Sequence, residues 1–322
     1  MTYKEVWKLL LYGTETIIVK MNSAKTSPIV LFVFNRLKET KLTVDALSKN
    51  ALAKDSILYV FSDGPRNKKE LKKVDEVRSY LNNIHGKFSK VIIHKSENNK
   101  GLANSVIAGV SHVLSKHEEV IVLEDDLVSS KNFLHFMNQA LTFYKNTHKV
   151  FSISGYTFDL AAAKKEKQDF YFGYRASSWG WATWKDRWNK IDWNNSYYEN
   201  KLKNVVYLNK LRRGGNDMPK MLKNHLKGKI DSWAIRYCAH QSWNDLFTVF
   251  PKISKIQSIG FSKEATHTKN KKRFETVLDK GVQTDFLFSS QVQLNSKINR
   301  QFKSKFSTLY KAITFIKSTI NN

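Results

Sequence analysis

The first strong hydrophobic signal is the run PIVLFVF at residues 28–34, uninterrupted, of strand length and rich in β-branched and aromatic residues. Asn35 and Arg36 end it, and a helical pattern follows through Thr43, Leu47 and Leu52. A second strand is expected over 57–61 (ILYVF), stopped by the turn-forming SDGP at 62–65. A charged helix over 68–82, a third strand over 90–94 (KVIIH) and a helix over 102–114 come next. A fourth strand, VIVL at 120–123, runs into Glu124, Asp125 and Asp126. Strands alternating with helices at this spacing predict βαβ units and a mostly parallel sheet flanked by helices, and fully apolar strands agree because such sheets are covered on both faces. In sheets of this kind ligands bind at the carboxyl ends of the strands. Those ends carry Asn35 and Arg36, then Asp63, then the acidic triplet.

Beyond residue 127 the pattern changes. Seven tryptophans fall between Trp179 and Trp243, and FSIS at 151–154 reads as a further strand. The expected organisation is an N-terminal extension (1–26), an α/β half (27–127), a second half of different pattern (128–285) and a tail (286–322). The halves are able to share one sheet. In the tail, Ile298, Phe302, Phe306, Leu309, Ile313, Ile316 and Ile320 step by four or three, flanked by lysines and an arginine with no acid. That is a basic amphipathic helix, suited either to an anionic membrane surface or to packing on its own domain.

Composition sharpens this only in places. The 322 residues carry 54 Lys and Arg against 28 Asp and Glu, a net charge of +26. Such a field attracts nucleic acid, anionic lipid or phosphorylated substrates without choosing among them. The single cysteine, Cys238, excludes an internal disulfide and makes a reducing cytosol the natural compartment. The first twenty residues do not read as a secretory signal, and no stretch approaches the roughly 20 apolar residues that span a bilayer. A cytoplasmic protein, peripheral on the cytoplasmic face of the membrane, is expected.

Three adjacent carboxylates after a buried strand repel one another, and a hard divalent cation such as Mn²⁺ or Mg²⁺ would compensate them. The plainer reading is an acidic helix N-terminus. The motifs VFNR (33–36), FSDG (61–64), VLEDDL (122–127), SWGW (178–181), DSW (231–233) and PKIS (251–254), with His267, occur in an order that resembles the GT-A glycosyltransferases. The resemblance is to the branch containing N-acetylglucosaminyltransferase I and its bacterial relatives, and it covers roughly residues 28–270.

The resemblance implies a GT-A fold and an inverting, metal-dependent transfer from a UDP-sugar to a glycan hydroxyl. The acceptor would be lipid-linked, in bacterial surface polysaccharide synthesis. Asp126 and His267 would hold the metal, with Glu124 and Asp125 on the ribose and the sugar. Asp63 would contact uracil, with Asn35 and Arg36 beside the base or phosphates, and Trp181 would shape the sugar pocket. Asp231 would be the general base, with Asp217 the less favoured substitute. Asp231 also fits a helix N-cap, Arg36 a surface arginine and His267 a structural histidine. Two other classes stay open, a basic nucleic-acid-binding protein and a sugar-1-phosphate nucleotidyltransferase. No nucleic-acid module is recognisable, the lysines are spread along the chain, and no Gly-rich phosphate loop follows the first strand. No specific nucleic-acid partner is therefore expected.

Overall fold

The computed structural model describes residues 26–261, 274–310 and 312–314, and the backbone of 8–11 and 14–18. A hairpin of β1 (Lys8–Leu11) and β2 (Thr14–Ile18) precedes the α/β body. The body begins with β3 (Ile29–Val33), α1 (Leu37–Ser48), β4 (Ile57–Ser62), α2 (Lys68–Leu81), β5 (Lys90–Lys95), α3 (Leu102–Leu114) and β6 (Glu119–Glu124). It continues with β7 (Leu127–Ser129), α4 (Phe133–Tyr144), β8 (Val150–Ser154), β9 (Phe170–Gly173) and β10 (Trp181–Trp184). Five helices follow: α5 (Lys185–Trp188), α6 (Asn195–Lys201), α7 (Val205–Gly214), α8 (Met218–Leu226) and α9 (Trp233–Trp243). The last elements are β11 (Phe247–Pro251), β12 (Ile256–Ser258), β13 (Leu287–Ser289) and α10 (Ser296–Ser304).

Eight strands form one sheet in the order β5-β4-β3-β6-β10-β8-β11-β9. Only β10 and β9 run against the rest. The fold is therefore α/β with a mostly parallel sheet flanked by helices, as the alternation of elements predicts, and the sheet is continuous across residue 127. The side-chain period of two sorts the strands onto two cores. Ile29, Leu31, Val33, Leu58, Val60, Ile121 and Leu123 pack beneath α1, α2 and α4. Val30, Phe32, Tyr59, Val120 and Val122 face α3 and α9. A smaller cluster, including Tyr198, Tyr207, Leu211, Met218 and Leu222, ties α6, α7 and α8 to α9. The N-terminal hairpin is joined to the C-terminal part of the chain, because β2 pairs antiparallel with β13.

The tail departs from one continuous helix. Helix α10 stops at Ser304, and a second helical turn begins at 308 after Ser307, whose hydroxyl accepts the Tyr310 N–H at 3.1 Å. Ile298, Phe302 and Phe306 are buried in the main core, with Phe302 against the rings of Phe158 and Phe250. Leu309 and Ile313 are exposed. Residues 311 and 315–322 lie outside the described residues, so Ile316 and Ile320 do too. The packing alternative thus holds for the first half of the apolar face. Replacing Phe302 by Ala should cost about 3 kcal/mol of stability, measured by urea unfolding. A cost within about 0.5 kcal/mol, typical of surface sites, would mean that this face is not core.

Candidate active site

The parallel strands β3, β4, β6 and β8 all end on one rim, and a cavity of about 1120 Å³ opens there. Its wall brings together Asn35, Arg36, Asp63, Glu124, Asp125, Asp126 and Asp231. Six of these come from the ends of three sheet strands, whereas Asp231 arrives from the loop between α8 and α9.

The triplet splits into three environments. Asp125 is 3% exposed. It accepts the Phe34 N–H at 3.3 Å and an ion-paired bond from Arg36, while its own carbonyl takes the Thr43 hydroxyl at 2.8 Å. It is an anchor between β6, β3 and α1. Asp126 receives the other arm of Arg36 at 3.0 Å through Oδ2, and its carbonyl accepts the Ile259 N–H at 2.9 Å. Its Oδ1 accepts no hydrogen bond from a described residue, and neither does the carboxyl of Glu124. Burial pushes the Glu124 carboxyl up to about 8, with Asp126 and Asp125 adding to the shift and Arg36 opposing it. Burial raises Asp125 as well, to about 6, against the pull of Arg36. Arg36 pairs with two of the three acids and opposes the shift of the third, so the triplet itself carries more acids than paired cations.

Among the described residues no group of three or more His, Cys, Asp and Glu side chains is placed to hold a metal ion. The protein alone therefore builds no closed cage. The donor set is nevertheless all hard oxygen, with two acids that have acceptor positions open towards the cavity. That matches Mg²⁺ or Mn²⁺ bound through one or two carboxylates, with the remaining positions left to water and phosphate. His267 lies outside the described residues.

The residue expected at the base, Asp63, is heavily engaged. Its carboxylate accepts the backbone N–H groups of Gly64 (2.9 Å), Lys100 (2.9 Å) and Gly101 (3.2 Å). This clamps the 99–101 loop to the end of β4 and shapes the cavity wall. Asn35 reaches Glu70 at 3.4 Å. Asp231 is exposed at the rim, and its Oδ2 accepts the Ala103 N–H in the first turn of α3 at 3.3 Å. It caps α3, and the residue before α9 that caps that helix is Ser232. Asp217 is paired with Arg175 at 2.8 Å, and both line the cavity.

The tryptophan placement is corrected. Trp181 is 1% exposed and stacks between Trp188 and Trp233 in the core, away from the cavity. The ring of the SWGW motif that lines the cavity is Trp179, beside Tyr156 and Phe274. The left-handed Gly180 (φ +59°) between them turns the chain into β10. Sequence reasoning also missed Arg175, Tyr156 and the tail residues Phe302 and Phe306 as cavity wall. Arg175 and Tyr156 lie in none of the motifs, and Phe302 and Phe306 stood out only as part of the apolar face of the tail.

The sequence matches no family model and no curated protein. Among solved structures, the S. aureus TarS structure is similar at 10% identity and a TM-score of 0.42. That match covers 79% of this chain and 41% of that one, so this chain spans about two-fifths of its length. The galactosyltransferase LgtC with donor and acceptor sugar analogs is similar at 10% identity and a TM-score of 0.35, over 66% of this chain and 70% of that one. UDP-glucose pyrophosphorylase with UDP-glucose reaches 13% identity and a TM-score of 0.35, over 72% of this chain and 91% of that one.

Proposed function

We propose that this chain is a GT-A-type glycosyltransferase that moves a sugar from a UDP-sugar to a glycan hydroxyl with inversion at C1. The observation that carries the reading is the rim itself. Arg36, Asp63 and the Glu124–Asp126 triplet, each at a different strand end, meet in one cavity with an exposed carboxylate, Asp231, on its wall. The ordered motifs of the sequence add to it.

The donor lies across the strand ends, with the base towards Asp63 and the clamped 99–101 loop. Arg36 offers a bidentate fork to phosphate oxygens. Asp126, with Glu124 beside it, would hold Mn²⁺ or Mg²⁺, which supplies Lewis-acid neutralisation of the departing UDP. Trp179 presents a ring face to the sugar. Asp231 takes the proton from the acceptor hydroxyl as its oxygen attacks C1, and the bond from C1 to the UDP oxygen breaks on the opposite side.

The acceptor is proposed to be a lipid-linked glycan of a bacterial surface polysaccharide. The protein would meet it peripherally at the anionic cytoplasmic face of the membrane. The net charge of +26 and the exposed Leu309 and Ile313 among tail lysines support this. Among the described residues no helix is long and apolar enough to cross a membrane.

A calorimetric screen of nucleotides and nucleotide-sugars, with and without Mn²⁺, tests the reading. UDP and at least one UDP-sugar are expected to bind, more tightly with the metal. Binding of no nucleotide would remove the proposal. Pyrophosphate release from a nucleoside triphosphate would assign the chain to the nucleotidyltransferases. Nucleic-acid binding with a steep salt slope and no UDP binding would assign it to the third class.

Gly260 supplies a more local test. A Cβ built there lies 1.8 Å from Asp126 Oδ2 and 2.6 Å from its Cγ, so any side chain must displace the carboxylate. Gly260→Ala is expected to lower sugar transfer about 100-fold, the scale of a misplacement near 1 Å. Transfer within threefold of wild type would show that the position of Asp126 is not critical.

A further inference from the structure

Arg36 is the cation paired with the acidic triplet, and its placement bears on how ligands enter. Its Nη2 bonds Asp125 and its Nη1 lies 3.0 Å from Asp126 Oδ2, so one planar fork spans two neighbouring carboxylates. The two ends differ. Asp125 is also held by the Phe34 N–H and by Thr43, and is fixed in place. The Asp126 side chain is 17% exposed and keeps Oδ1 open.

We propose that Arg36 is a built-in counter-ion that keeps Asp126 from holding a divalent cation alone, so that the cation and the donor diphosphate load together. This rests on the donor-site reading above. With the guanidinium in place, a dication on Asp126 would sit next to another positive charge, which weakens its hold. Moving Arg36 without a new anion would strip a partly buried charge of half its partners. A diphosphate removes both obstacles, because it accepts the guanidinium fork and brings oxygens for the ion. Each ligand therefore tightens the other, and by linkage the two factors are equal.

Arg36→Lys separates the two roles. A single ammonium pairs with the anchored Asp125 but has no second arm for Asp126. The measurement is the paramagnetic resonance signal of free Mn²⁺ during titration of the full chain, with and without UDP, in wild type and variant. Wild type is expected to bind Mn²⁺ weakly alone and at least about tenfold more tightly with UDP, within the usual range of coupling between sites. Arg36→Lys is expected to bind Mn²⁺ alone at least about tenfold more tightly than wild type, with less gain from UDP. Equal Mn²⁺ affinity in the two proteins, with wild type still taking up Mn²⁺ and UDP together, would overturn the counter-ion role and leave the donor site standing. UDP binding without Mn²⁺ uptake in either protein would remove the metal reading and this inference with it. If the lysine variant does not fold, Arg36→Gln is read in the same way.

Discussion

Asp126→Asn is expected to lower sugar transfer about a thousandfold, a loss near 4 kcal/mol of transition-state stabilisation. The substitution keeps the size of the side chain and one acceptor oxygen for Arg36, while it removes the charge and replaces the second oxygen by a donor NH2. Arg36 retains its pair with Asp125, so the core arrangement beneath the rim stays intact. What is lost is the anionic oxygen that would hold the ion against the leaving diphosphate. A melting temperature near that of wild type would confirm an intact fold, and added Mn²⁺ is not expected to restore turnover. Activity within threefold of wild type, insensitive to chelator, would remove the metal from the mechanism.

Asp231→Asn is expected to cost 10²- to 10⁴-fold in turnover, the range for a positioned general base. The amide oxygen still accepts the Ala103 N–H, so the contact with α3 survives the change. UDP-sugar binding should therefore stay within a few-fold of wild type while turnover falls. That split separates proton transfer from capping. Unchanged turnover in Asp231→Asn, with a lowered melting temperature only in Asp231→Ala, would make Asp231 a helix cap and nothing more.

Much of this was legible in the sequence because local chemistry and position agreed. The apolar runs at 28–34, 57–61 and 120–123 have the composition of strands buried on two faces, and that is how β3, β4 and β6 pack. Since parallel strands end on one rim, the polar residues after each run had to meet, and Arg36, Asp63 and Asp126 do line one cavity. Side-chain direction was not legible. Trp179 and Trp181 are chemically equivalent in the string SWGW, and only the positive φ of Gly180 and the pairing of β10 with β6 send one to the cavity and the other to the core. The bond between Arg36 and Asp126 links residues 90 positions apart, and the carboxylate of Asp63 closes on a loop nearly 40 positions away. Neither partner could be named before the strand order was known. In the tail, the apolar period was visible, but the break at 305–307 followed from Ser307 taking the cap of a new turn.

The proposed mechanism requires Asp126 to hold a dication against the nucleotide diphosphate. Anomalous scattering from crystals soaked in MnCl₂ and UDP tests it most directly. The predicted result is one Mn²⁺ peak about 2.1 Å from an Asp126 carboxylate oxygen, shared with diphosphate oxygens, with Arg36 turned onto a phosphate. UDP bound in the cavity with no metal, or Mn²⁺ bound away from Asp126, would contradict it.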